Sequence, residues 1–232
     1  MSSPPRISAN DLARYLVSKP TTQISIVKNA KSPQKPPIIR YTDARKAIVD
    51  HLSDMHRSKS PLVAASQMLE QRAQDPSQSS LRQDDATKSI EVIGALQDMS
   101  NQLAGFQFHK AAAKQAKLMI EGVEVSVHAD MLVHGERKGI AEVGAAMLRM
   151  TQDDAATDAA KLKRQNMGLY VATLLRMHTE ANLKGNRTPA NRLCLSIDVQ
   201  HGEAFVAPKA SAQRMKDIRS ACKFIAALWD TV

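Results

Sequence analysis

The sequence predicts an α/β fold: a small mixed β-sheet flanked by helices, behind an N-terminal helical region. Three observations carry that prediction. Residues 122–134, GVEVSVHADMLVH, alternate strictly between apolar and polar, the period of a half-buried strand. Apolar residues at helical spacing precede and follow that run. At 232 residues, with 43% hydrophobic and 24% charged, the chain is long enough to bury one sizeable core.

The elements follow in order. Ser8-Ala-Asn-Asp11 is a capping box ahead of Leu12, Tyr15 and Leu16, and Pro20 is expected to stop this helix. Residues 21–27, TTQISIV, read as a short strand or extended segment. Residues 28–39 hold three prolines and three lysines and read as a solvated loop. Thr42 opens a helix with Ala44, Ile48, Leu52 and Met55 on one face. Ser60-Pro61, a cap followed by proline, starts another helix to about Arg72. Residues 74–85, QDPSQSSLRQDD, are polar and read as a mobile linker. Ile90, Ile93, Leu96 and Met99 make a helix of residues 86–101.

Three strands are then expected, at 115–120, 122–134 and 140–150, with the turn GERKG at 135–139. Thr151-Gln-Asp-Asp154 caps a long helix to about Leu183, with Met167, Val171, Leu174 and Leu175 inward. Residues 192–200 alternate again, and His201-Gly202 turns the chain into a short strand, 203–207. The last helix, 211–230, lines up Met215, Ile218, Cys222, Ile225 and Trp229. The core order is therefore helix, three strands, helix, strands, helix. A strand joined through the long helix is expected to pair parallel with one strand of the meander. The domain reading is a basic helical region over 1–75, a polar linker over 76–85 and an α/β core over 86–232.

Composition excludes several classes. No apolar run approaches the roughly 20 residues of a membrane helix. The first ten residues lack the apolar stretch of a secretory signal, and the two cysteines, Cys194 and Cys222, are too few for a disulfide scaffold. A cytoplasmic protein is the expectation. The net charge of +9 is unevenly placed. Residues 1–60 carry 11 Lys/Arg against 4 Asp, and residues 161–232 carry 12 against 5 acids, while the middle is acidic. Basic ends attract a polyanion, so DNA or RNA is the expected partner. Lys28, Lys31 and Lys35 at the N-terminal end, and Lys161, Lys163, Arg164 and Arg176 on the long helix, are the candidate phosphate contacts.

At these residues the chain resembles the PD-(D/E)XK nuclease superfamily, the restriction-endonuclease-like fold. That family's core is helix, three-stranded meander, helix, strand, which matches residues 86–200 by element order. GVEVSVHAD (122–130) looks like the second-strand motif, placing Asp130 at the aspartate. GAAML (144–148) falls on the third strand, where Ala145 and Met147 stand in place of the second acid and the lysine. Asn166-Met-Gly-Leu-Tyr170 is similar to the Gln-x-x-x-Tyr motif of some members, with Asn for Gln. The resemblance implies a nucleic-acid-binding protein with an eroded catalytic set. Its active alternative is a metal-dependent nuclease with Mg²⁺ or Mn²⁺ on Asp130, Glu142 as a catalytic acid, and Glu124 and Glu91 completing the metal shell.

Other arrangements stand beside it. His128-Ala-Asp130, with His178 or His201, has the residue types of a facial iron triad. Asp198 shares strand parity with Cys194 and Ser196, where an arginine or the backbone is expected to satisfy it. A further class is a structural or assembly protein, a homo-oligomer whose basic ends serve protein contacts.

Overall fold

The computed structural model describes residues 4–33, 40–150 and 157–232. The chain begins with β1 (Arg6–Ser8), α1 (Ala9–Leu16), α2 (Pro20–Lys31) and α3 (Thr42–Ser53). α4 (Ser60–Gln74), α5 (Ser80–Asp98) and the single turn α6 (Ser100–Leu103) follow. Five strands come next: β2 (Gln107–Lys110), β3 (Leu118–Ile120), β4 (Val123–Ser126), β5 (Met131–Arg137) and β6 (Ile140–Arg149). α7 (Asp158–His178) runs into a π-helical turn at Thr179–Leu183. The chain closes with β7 (Thr188–Pro189), a 3₁₀ turn (Asn191–Leu193), β8 (Leu195–Asp198), β9 (Glu203–Val206) and α8 (Ala212–Leu228).

The fold is mixed α/β, as the sequence predicts. The main sheet has the order β2-β5-β6-β8-β9, with β7 beside β6. β2, β5 and β6 form the antiparallel meander, and β8, reached through α7, runs parallel to β6. A second sheet has the order β1-β4-β3. The main sheet separates two apolar clusters. Ala145 and Met147 of β6 pack with Val171, Leu174 and Leu175 of α7, in a cluster that also takes in α1, α2, α8 and the small sheet. Ala146 and Leu148, on the other face, pack with Met131 and Val133 of β5 and with Ile48, Leu62 and Ile93 of α3, α4 and α5. Covered on both faces, β6 reads as a near-continuous apolar run.

Four expectations are corrected. Residues 21–27 are helical, because Pro20 opens α2 at a first-turn position, where its missing N–H has no partner to lose. The linker is shorter than the sequence suggests. Residues 80–85 are the first turns of α5, and Asp75–Ser79 is the whole connection between two packed helices. The Asp75 carboxylate holds that turn by accepting from Ser77 N (2.9 Å) and Gln78 Nε2 (3.2 Å).

The run 122–134 is not one strand. Burial alternates over 123–129 and breaks at Asp130, which is buried between Ala129 and Met131; β4 belongs to the small sheet and β5 to the main one. Between them the side-chain amide of Gln115 stands in for a neighbouring strand, donating to Ala129 O (2.7 Å) and accepting from Ala129 N (3.0 Å). The meander's first strand is β2, which the sequence reading missed, and not residues 115–120. The cap at Thr151–Asp154 lies outside the described residues. The N-cap of α7 is Thr157, whose hydroxyl accepts from Ala160 N.

The β5–β6 hairpin turns on Lys138 and Gly139, both at positive φ, the two-residue turn that suits twisted strands. No helix among the described residues is long and apolar enough to cross a membrane. Gly144 marks the tightest backbone approach: a Cβ there would sit 2.1 Å from Leu193 O. Because that neighbour is backbone, Gly144→Ala is expected to destabilise the protein by about 2 kcal/mol or more, read as a lower midpoint in urea unfolding.

Candidate nucleic-acid interface

Asp130 sits where the chain enters the main sheet. Its N–H donates to Ala146 O at 2.9 Å, which fixes the backbone, and its side chain is 4% exposed. A buried carboxylate needs donors. Leu148 N donates to Oδ2 at 2.7 Å, and Nη1 of Arg45, on α3, lies 2.8 Å from both oxygens. The carboxylate thus ties α3 to β6 and is occupied by charge-assisted hydrogen bonds.

The other acids do not join it. Glu142 lies four residues along β6 from Ala146, about 13 Å away, and is paired with Arg192. Glu124 is in the small sheet and paired with Lys117. Glu91 is exposed on α5, near the Tyr41 phenol. Ala145 and Met147, where the resemblance calls for an acid and a lysine, are buried against α7. Among the described residues no three His, Cys, Asp or Glu side chains gather to hold a metal. These donors do not fit the Mg²⁺ or Mn²⁺ site that the resemblance implies.

The histidines of the facial-triad reading also separate. His128 is exposed. His201 Nδ1 lies 2.9 Å from Asp198 Oδ1. Asp198 is buried and also meets Arg149 at 3.7 Å, the arginine partner expected of it. His178 is fully buried on α7. Its Nδ1 accepts from Asn182 Nδ2 (3.0 Å), so its Nε2–H donates to Gln115 Oε1 (3.1 Å). Burial, with a smaller effect of His128, pushes its pKa down to about 4. The thiols are equally inert: burial pushes Cys222 up to about 12 and raises Cys194.

The candidate phosphate contacts divide by position. Lys28, Lys161 and Lys163 are exposed. Lys31 is structural, its Nζ donating to the carbonyls of Trp229 and Val232 at the chain's end. Arg176 is held by Asn191 and Glu180. Arg164 is buried, near enough to Arg149 to oppose that residue's charge. Lys35 lies outside the described residues.

A further basic stripe, also present in the sequence spacing, lies on α8. Lys216, Arg219 and Lys223 are exposed at i, i+3 and i+7 on α8, opposite its apolar stripe of Ile218, Cys222 and Ile225. Phe224, next in sequence to Lys223 and about 100° around the helix from it, is 64% exposed. Glu121 is the one carboxylate within 4 Å of Arg219 and Lys223 among the described residues, at 3.7 and 3.8 Å. α8 is joined to α7 by Tyr170, which donates to Asp217 (2.9 Å) while Arg214 lies 4.8 Å over its ring. No family model matches the chain, and no curated protein matches it.

Two outcomes are expected. Arg45→Met leaves the Asp130 charge buried with one donor fewer. It should lower stability by about 2 kcal/mol in urea unfolding, below the usual 3–5 because Arg45 is 39% exposed. His178, whose folded pKa lies below the unfolded value of 6.5, stabilises fully above pH 6.5. That contribution is lost as pH falls toward 4, by up to about 3 kcal/mol. His178→Gln should flatten the slope of stability against pH across that window.

Proposed function

We propose that the protein binds nucleic acid through the outer faces of α7 and α8 and does not cleave it. The observation that carries this reading is the exposed stripe of Lys216, Arg219 and Lys223 on α8, with Phe224 exposed on the flank of the same helix. Cations at this spacing follow a phosphate backbone, and an exposed aromatic ring offers a face on which a base can stack. Lys161 and Lys163 on α7 extend the positive surface. The absence of cleavage follows from Asp130, whose carboxylate oxygens accept from Arg45 and Leu148. Both cysteines are free and buried, which suits the reducing cytoplasm.

Phe224 favours a second reading, an assembly protein that covers this ring with another copy of the chain. Fluorescence anisotropy with single- and double-stranded DNA and RNA, titrated with salt, separates the two. Contacts from these five cations predict a log–log slope of about −3.5 on single strands to about −4.5 on duplex. Changing Lys216, Arg219 and Lys223 together to Gln should reduce that slope by about 2 to 3. A slope near zero, with Phe224→Ala converting a dimer to a monomer in sedimentation, would replace binding by assembly.

A further inference from the structure

β2 and β5 bring two histidines together at one end of the main sheet. Gln107 pairs with His134, and His109 pairs with Leu132, so the two histidines are diagonal neighbours on one face. Their rings stack with centroids 4.1 Å apart and planes 34° from parallel. Among the described residues, neither ring nitrogen of either histidine has a hydrogen-bond partner. They line an open cavity of about 580 Å³, together with Gln107, Glu136, Arg187 and Arg192.

The charges around that cavity are unequal in freedom. Arg192, from the 3₁₀ turn, is committed to Glu142 and to Glu136 O. Arg187, between α7 and β7, makes one long contact, to Glu142 O at 3.5 Å, and no ion pair among the described residues. The charged groups around His134 are therefore His109 from β2, Glu136 from β5 itself, Glu142 from β6, Arg187 and Arg192. Burial, then His109 and Arg187, push the His134 pKa down. The last two causes are positive neighbours, which mark the place where an anion is favoured.

We infer that His109, His134 and Arg187 form a proton-coupled site for a tetrahedral oxyanion, the phosphate group of a phosphomonoester. An anion there relieves the mutual repulsion of the three groups, so binding draws protons onto the imidazoles. By linkage, protonation then tightens binding. Arg187 provides the permanent charge and planar donors suited to a phosphate. The site does not rest on the α7–α8 reading, since none of its residues belongs to those helices.

Sulfate is the clean probe, because it stays a dianion through the range in which histidine titrates. The measurement is NMR titration of the imidazole protons, with and without sulfate, and of sulfate affinity at pH 5.5 and 7.5. The site predicts a pKa rise of about one unit for His134 on adding sulfate, and binding about tenfold tighter at pH 5.5. Arg187→Ala should weaken sulfate binding at both pH values, and His109→Gln combined with His134→Gln should abolish the pH dependence. Histidine pKa values that sulfate does not move, or an affinity equal at both pH values, would overturn the site. So would unchanged pH dependence in the double histidine variant, or unchanged affinity in Arg187→Ala. Competition then identifies the source. A 5′-phosphorylated oligonucleotide outcompeting its 5′-hydroxyl form points to a strand end, and inorganic phosphate competing alone points to a small phosphate ester. Either result upholds the site.

Discussion

The architecture depends on β6 being covered on both faces, by α7 on one side and by the α3–α5 layer on the other. Between Val143 and Arg149 every residue is buried. Polar groups can enter such a strand only at its ends, and each needs a partner there. At one neighbouring entry point Asp130 meets Arg45 and the Leu148 N–H. At the next residue of that same end Arg149 meets Asp198, which also holds His201. Where the 3₁₀ turn presses on the strand, only Gly144 leaves room for Leu193 O. The acidic and basic residues nearest the sheet are thereby committed to holding layers together.

That commitment separates this chain from the chemistry its element order suggests. A metal-dependent nuclease needs carboxylates that converge and remain open to an ion. Here Asp130 is closed by donors, Glu142 and Glu124 are paired with Arg192 and Lys117, and the two key third-strand positions are apolar. The charge left for a partner lies on the outside of the helices. The contacts proposed for a polyanion, the α8 stripe with Lys161 and Lys163, ask nothing of the buried acids.

Much of this was legible in the sequence because it is local. The apolar stripes of α5, α7 and α8 follow helical spacing, and alternation over 192–200 marks β8. The crossover through α7 sets β8 parallel to β6, as chain connection rules require. What escaped depends on distant partners. Alternation gives which side of 122–134 is buried but not which sheet each half joins, and Gln115 settles that from outside the run. The strand or extended segment expected at 21–27 is α2, which Pro20 opens and whose Ile26 and Val27 pack against the core. Asp130 stood out in the sequence, whereas its partner Arg45, 85 residues away, carried no local mark. The histidine pair at 109 and 134 is created by strand register alone. The α8 cations stand at i, i+3 and i+7, a spacing that a merely solvated helix face shares.

The measurement that tests the central claim most directly is a cleavage assay on single- and double-stranded DNA and RNA with Mg²⁺ or Mn²⁺, comparing the natural protein with Asp130→Asn. If the Asp130 carboxylate serves the fold, neither protein cleaves any substrate, although the natural protein retains the strand on a native gel. Cleavage by the natural protein that disappears in a folded Asp130→Asn variant would contradict the account, because it would mean that Asp130 leaves Arg45 to work on a phosphodiester.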